Sequence, residues 1–530
     1  MIGRPLLLVV AVGVLVAVLV TPAVGSKSMF NRPNIVVVER PWPPLIDVWV
    51  QIPVGALADP GGREGLAHLA WQVAIEAGGN RNKRRFNEAL DRIGATLDAE
   101  VGAHETVVFG QVPTKNLERF MELLSDVIRR PRFSRTDVAL HRGLAIADAE
   151  EIYDDAAALA HDAARRYLNR GTPAGRPIHG TPATLKKLRA SHLRSFHRRA
   201  TANTLRFGFA GDVPRQTAVR LVRENFPKMN PRSAAGNRKV RLPIVKGRRL
   251  LIVDRPGRSQ AHVVILLPTA GANRPVMPQL SVAIAALGGT FTSRLVRQVR
   301  ELRGWAYSID ATLRMAADRG LVEIDWAPDN RVAAASIDLV MRQVELLREA
   351  GLTSPELAFA RDHLRGAHQL AIETAAGELS ERMRSLALGL TIDFPQRLSA
   401  LIARVESNHV NAALTEYLDP SHAVAVVVGD AKVLKPSFDK LASGFAVEVI
   451  PYNGAPETTS LVGNAISRTR PVAPPAADPA RAEPAGPIFD EHGNPVDPAS
   501  LPAGDTAVDD ADAVDDSAGG DAAPPGPDDI

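Results

Sequence analysis

The stretch Gly65-Leu66-Ala67-His68-Leu69-Ala70-Trp71-Gln72 comes nearest to a recognisable chemical device in this chain. A helix carrying His-x-x-Glu-His sets two imidazoles one turn apart, where they can hold Zn²⁺. The Glu then takes the proton from the metal-bound water. Only the first of these three groups is present. Trp71 stands where the base would be and Gln72 where the second imidazole would be, so neither a firmly held metal nor an activated water is expected. Glu76 shares a helical face with His68 and Gln72 at four-residue spacing. It lies two turns from His68, about 12 Å along the axis, too far to activate a water held there. Followed by Ala77-Gly78-Gly79, it reads as the polar end of a helix with its glycine stop. Taken alone, His68 on an apolar helix is more often a core histidine than a metal ligand. His104, His161, His179, His192 and His197 fall on separate elements without ligand spacing and read as ordinary. There is no Gly-x-Ser-x-Gly elbow, phosphate loop or dinucleotide fingerprint.

The elements that must position such a site belong to a long chain. Its 530 residues call for two or three domains, and 45% hydrophobic with 23% charged residues is enough apolar material for globular cores. The absence of cysteine excludes disulfide scaffolds, thiolate zinc sites and cysteine nucleophiles. Arg4 and Pro5 precede an uncharged apolar run at 6–20, followed by small residues through Gly25. Residues 1–25 therefore read as a secretory signal or an uncleaved N-terminal anchor, and the expected location is the periplasm or the outer face of the inner membrane. The net charge of +4 hides an asymmetry: after Arg481 there are thirteen Asp and Glu and no Lys or Arg. A basic body with an acidic tail suggests self-screening or an acidic partner surface. Nucleic acid is not favoured, since the Arg residues are scattered and no aromatic-studded basic motif occurs. The Pro/Ala/Asp-rich tail at 471–530 lacks the apolar periodicity needed to order it and is expected to be disordered.

Between these ends the chain repeats itself. Asn34-Ile35-Val36-Val37-Val38-Glu39-Arg40-Pro41 corresponds to Arg249-Leu250-Leu251-Ile252-Val253-Asp254-Arg255-Pro256, with acid, Arg and Pro displaced equally. Each reads as a strand stopped by proline. A second β-rich run follows at 46–54 and 262–267. Then come a helix, a break near Gly94 or Gly304 and an alternating strand pair, within 86–110 and 295–326. Amphipathic helices follow, with apolar residues at three and four spacing in 117–128 and 337–347. Each half closes on a strand running into Gly211-Asp212 or Gly429-Asp430. The domains are placed at 30–228 and 247–452, joined by a polar linker at 229–246.

The His68 segment and the repeat together resemble the insulinase/pitrilysin family of inverted zincins, including the mitochondrial processing peptidases, over residues 30–450. The resemblance implies an α+β fold of two homologous α/β-sandwich-type domains, helices packed on a mixed, largely antiparallel sheet. In that family a further Glu from a downstream helix completes the zinc ligands. Glu150 and Glu151 suit that place about equally, and each is otherwise part of a solvated helix face. The second-half segment from Gly288-Gly289 through Arg300 to Tyr307 is similar to the family's C-terminal-domain signature. There a small-residue loop opens a helix, and an Arg and a Tyr seven residues apart reach the substrate backbone. A guanidinium and a phenol are donors suited to peptide carbonyls. The alternative makes Arg300 one charge of a basic helix and Tyr307 a half-buried strand residue.

The resemblance therefore implies a non-catalytic, exported chain that holds peptide for an active sister subunit. Its site residues are Arg300, Tyr307, Gly288 and Gly289; Trp71 and Gln72 mark the lost catalytic positions, and His68, Glu150 and Glu151 are remnants of the ligand set. No cofactor is expected. Two rival readings are an active zinc endopeptidase with an aberrant site, which needs bound zinc, and a membrane-anchored scaffold.

Overall fold

The computed structural model describes residues 35–202, 205–227, 245–440 and 444–452, with the short pairs 488–489 and 495–496. The signal or anchor at 1–25, nearly all of the linker and most of the tail lie outside the described residues.

Alternating apolar positions form the strands, and strands of the two halves assemble in the same order. The first sheet contains β1 (Ile35–Glu39), β2 (Leu45–Ile52), β3 (Asp98–Val101), β4 (Thr106–Pro113) and β5 (Arg206–Gly211), ordered β1-β5-β2-β4-β3. The second contains β6 (Arg249–Asp254), β7 (His262–Ala270), β8 (Ile309–Met315), β9 (Arg319–Trp326), β10 (Val424–Gly429) and β11 (Ala446–Pro451), ordered β11-β6-β10-β7-β9-β8. Apart from the additional edge strand β11, the orders match strand for strand. In each sheet one pair of the shared strands is parallel, β1 with β5 and β6 with β10, and the rest are antiparallel. In the tail β12 (Ile488–Phe489) pairs antiparallel with β13 (Pro495–Val496).

The repeated acid has a structural duty. Glu39 Oε1 accepts the backbone N–H of Arg215 at 3.0 Å, and Asp254 Oδ1 accepts that of Ala431 at 2.9 Å. Each carboxylate thus satisfies an orphan donor at the start of the helix that follows its half's closing strand.

The first half supplies helices α1 (Leu66–Ala74), α2 (Lys83–Asp91), α3 (Leu117–Arg129), α4 (Arg135–Glu151), α5 (Ala156–Leu168), α6 (Pro182–Leu185), α7 (Ala190–Thr201) and α8 (Arg215–Asn225). The second supplies α9 (Met277–Gly288), α10 (Asn330–Ala350), α11 (Ser354–Ala371), α12 (Ala375–Ala387), α13 (Phe394–Ala403), α14 (Ser407–Tyr417) and α15 (Ala431–Phe438). Among the described residues no helix is long and apolar enough to cross a membrane.

Each sheet is covered on one face by its own helices and on the other by one helix of the other half. Leu159, Ala160, Ala163, Ala164 and Leu168 of α5 pack on Val264 and Leu266 of β7 and on Val424, Val426 and Val428 of β10. In return Leu379, Met383 and Leu386 of α12 pack on Val36, Val38 and Ala210 of the first sheet. The exchange explains why β10 is buried on both faces while β2 and β9 alternate. It also explains Gly208: a Cβ there would lie 2.8 Å from Leu379 Cδ1.

Candidate functional site

Helix α1 is held from its start. Gly65 adopts the left-handed conformation (φ 86°), and Asp59 Oδ1 accepts the N–H of Ala67 at 2.9 Å. Asp59 is buried, and burial pushes its carboxyl up to about 7 against the pull of the backbone N–H groups of Ala67, Gly65 and Leu66. Gly65 also allows a close approach, since a Cβ there would lie 2.6 Å from the carbonyl oxygen of His179 and 2.9 Å from Gly180 Cα. This contact lays the turn containing His179 over the start of α1. The imidazoles of His68 and His179 meet edge to face with centroids 4.5 Å apart. Burial, with His179 adding to it, lowers the His68 pKa to about 4. Burial also lowers that of His179, opposed by the charges of Asp162 and Asp148.

Trp71 turns into the core. It is fully buried, its indole 4.9 Å from the ring of His197, which in turn packs 5.7 Å from Phe133. Gln72 donates from Nε2 to the carbonyl oxygen of Ala99 on β3 at 3.4 Å. Glu76 is engaged by Lys83 Nζ at 2.8 Å and by His141 Nε2 at 3.3 Å. Zinc in a catalytic site takes three protein donors and keeps an open position. His68 offers one imidazole, Gln72 is turned to a backbone carbonyl, and among the described residues no set of three His, Asp or Glu donor atoms converges on His68. The residues present do not fit a zinc ion at this place.

In the second half α9 ends at Gly288, which is buried; a Cβ there would lie 2.5 Å from Ala311 Cβ, and one at Gly289 would lie 2.9 Å from Ala285 Cα. Both glycines serve close packing. The chain then makes a π-helical segment, Val296–Glu301, and reverses at Gly304 (φ 60°), where the Trp305 N–H reaches the Val299 carbonyl at 2.9 Å. Arg300 lies over two rings, 6.0 Å from the centroid of Phe291 and 5.9 Å from that of Tyr307. Tyr307 is 91% exposed and Phe291 82% exposed. A guanidinium between two solvent-facing aromatics leaves its N–H donors and the phenol open to a ligand.

Comparison with known proteins identifies the architecture. Residues 35–182 match the insulinase (peptidase family M16) model, and residues 187–364 match the peptidase M16 inactive domain. The chain belongs to the insulinase family, M16. It is 29% identical to an uncharacterized zinc protease of Mycobacterium leprae over 72% of this chain and 86% of that one. The solved peptidase M16 inactive domain from Pseudomonas fluorescens superimposes with a TM-score of 0.69 at 19% identity, covering 75% of this chain and 95% of that chain. A protease from Helicobacter pylori gives a TM-score of 0.66 at 16% identity over 74% and 96%. At these identities the two structures speak for the fold alone.

Against this M16 frame, the first-half candidates separate. His68, Trp71 and Gln72 share α1 but face a neighbouring histidine, the core and a strand respectively. Glu150 and Glu151 are exposed on the last turn of α4. The α4 carboxylate whose charge reaches His179 is that of Asp148, one turn before the end of the helix. Sequence reasoning passed over Asp148 and read His179 as an ordinary histidine. The pairing of Gly65 with Gly180 is the signal that ties His179 to α1, and it becomes readable only once their contact is known. A further cluster joins His161, His262 and Asp325, although His161 read as an ordinary histidine.

Proposed function

We propose that this M16 chain is a non-catalytic, peptide-holding member of the family that works beside an active sister chain. The observation that carries the reading is the burial of Trp71 in the position of the general base, with the ring of His197 packed against it. A water activated at this place would need a carboxylate where the core has an indole. The amide of Gln72, tied to Ala99, supplies no imidazole. The holding half is intact in chemistry. Arg300 and Tyr307 are exposed donors beside Phe291, set on a segment whose backbone is fixed by packing at Gly288. Peptide backbones are captured by such donors beside a sheet edge. Export to the periplasm or the outer face of the inner membrane accords with the apolar run at 6–20.

The experiment is to express the full chain with a sister that keeps an intact His-x-x-Glu-His, isolate the complex by size exclusion, and measure peptide cleavage. Arg300→Ala and Tyr307→Phe should each lower kcat/KM about tenfold to a hundredfold, the worth of one lost hydrogen bond to a charged or carbonyl partner. A sister fully active alone, or a complex in which both variants cleave as wild type, overturns the holding role.

A further inference from the structure

The face of the second sheet covered by α5 carries polar groups at one end of an otherwise apolar contact. Side chains alternate along a strand, so His262, Val264 and Leu266 of β7 share this face, as do Leu321, Glu323 and Asp325 of β9. The opposite parity, Val263, Ile265, Leu267, Val322, Ile324 and Trp326, fills the main core. Asp325 pairs across the ladder with Val264, which brings His262 diagonally beside it. From above, α5 lays His161 onto the same spot. His161 Nε2 lies 2.9 Å and His262 Nε2 2.8 Å from the same carboxylate oxygen, Asp325 Oδ2. One donor atom from each of the three residues lies within 4.8 Å of the others.

We propose that His161, His262 and Asp325 form a binding site for a divalent transition metal of the zinc class, bracing α5 of the first half against the sheet of the second. Two imidazole nitrogens and one carboxylate oxygen form a donor set that suits zinc and its neighbours rather than calcium or magnesium. Zinc bonds of about 2.0–2.2 Å put tetrahedral donors about 3.3 Å apart, so each imidazole nitrogen needs to move from the carboxylate oxygen by only about half an ångström, and the two nitrogens already lie within 4.8 Å of each other. Each imidazole would bind the metal through a bare Nε2 and carry its one proton on Nδ1. His161 Nδ1 lies 3.8 Å from Glu323 Oε1, outside hydrogen-bond distance but near enough for the carboxylate to support the Nδ1–H side of the ring by its charge. Arg314 fixes Glu323 through two nitrogens at 2.8 and 2.7 Å; its own positive charge is offset by that pairing. The side chains of His161 and Asp325 are 39% and 31% exposed, which gives an ion a way in and leaves a coordination position for water. The site is separate from α1 and does not depend on the proposed function.

The test uses the purified full chain, stripped with chelator and titrated with Co²⁺ and then Zn²⁺. Wild type should bind one Co²⁺ with visible d–d absorption that Zn²⁺ abolishes, and its melting temperature should rise with zinc concentration. His262→Ala and Asp325→Asn should weaken binding at least tenfold, and Glu323→Gln about 10- to 100-fold. His68→Ala should bind as wild type. His161→Gln, at the most exposed position, replaces either ligand variant that fails to fold. Absence of the absorption in wild type, its persistence in the folded ligand variants, or its loss in His68→Ala would overturn the proposal.

Discussion

The indole of Trp71 lies 4.9 Å from the imidazole of His197, and both side chains are buried. Under the proposed reading position 71 corresponds to the general base, and that position is part of the hydrophobic core, braced by α7 from behind. Restoring the acid should therefore unfold rather than repair. Trp71→Glu removes a large buried aromatic and leaves an uncompensated carboxylate, at a cost of about 3–5 kcal/mol. Thermal unfolding of the variant measures it; a variant as stable as wild type would mean that position 71 can turn to solvent.

Two buried groups near α1 give opposite pH dependences, which variants can separate. Burial depresses His197 from 6.5 to about 4, so the unfolded chain binds the extra proton between those values. Its contribution is full above about pH 6.5 and is lost as pH falls toward 4, on the order of 3 kcal/mol. His197→Phe should gain on wild type in melting temperature across that fall. Asp59 runs the other way: its carboxyl, pushed up to about 7 by burial, holds a proton in the folded state that the unfolded chain has released. Stability is then lost as pH rises from about 4 through 7. Asp59→Asn keeps acceptors for the α1 backbone and should gain on wild type as pH rises. Stability gaps that do not change with pH would contradict both assignments.

Gln72→His alone should do what Trp71→Glu cannot. It places a second imidazole one turn from His68 on the same helical face, without disturbing the core. In a His262→Ala background, this substitution should add Co²⁺ binding that His68→Ala removes, with no peptidase activity. A folded variant that binds no additional metal would show that the two side chains do not reach a common point.

The crossed packing of α5 and α12 makes the two halves depend on each other. Leu379 is fully buried on the first sheet over Gly208, so Leu379→Ala should cost about 2–5 kcal/mol. Loss of a single cooperative unfolding transition in the variant, read by calorimetry, would be the sign that the halves have come apart. A change below 1 kcal/mol would mean that α12 is not a fixed part of that core.

The fold was legible because the repeat is written in residues with backbone duties. Glu39 and Asp254 recur because each caps the helix after its closing strand, and Gly211 and Gly429 recur as the ends of those strands. The apolar stripe of α5 is equally readable, but a stripe says only that a face is buried. That α5 covers the second sheet and α12 the first follows from tertiary packing. The same exchange brings His161 to His262 and Asp325, residues from a helix and two strands with no common spacing. His179 escaped for a related reason, since only the close approach of Gly65 and Gly180 lays its turn over α1. The spacing of His68, Trp71 and Gln72, by contrast, is readable in the sequence because one helix carries all three.

The proposal that this chain alone does not cleave peptides is tested most directly by peptide hydrolysis. Purified full-length protein, supplied with Zn²⁺, is incubated with an unstructured peptide and the products are followed by mass spectrometry. The burial of Trp71 and the tethering of Gln72 predict no cleavage above the peptide without protein. Cleavage that a chelator stops, zinc restores and His68→Ala abolishes would contradict the account.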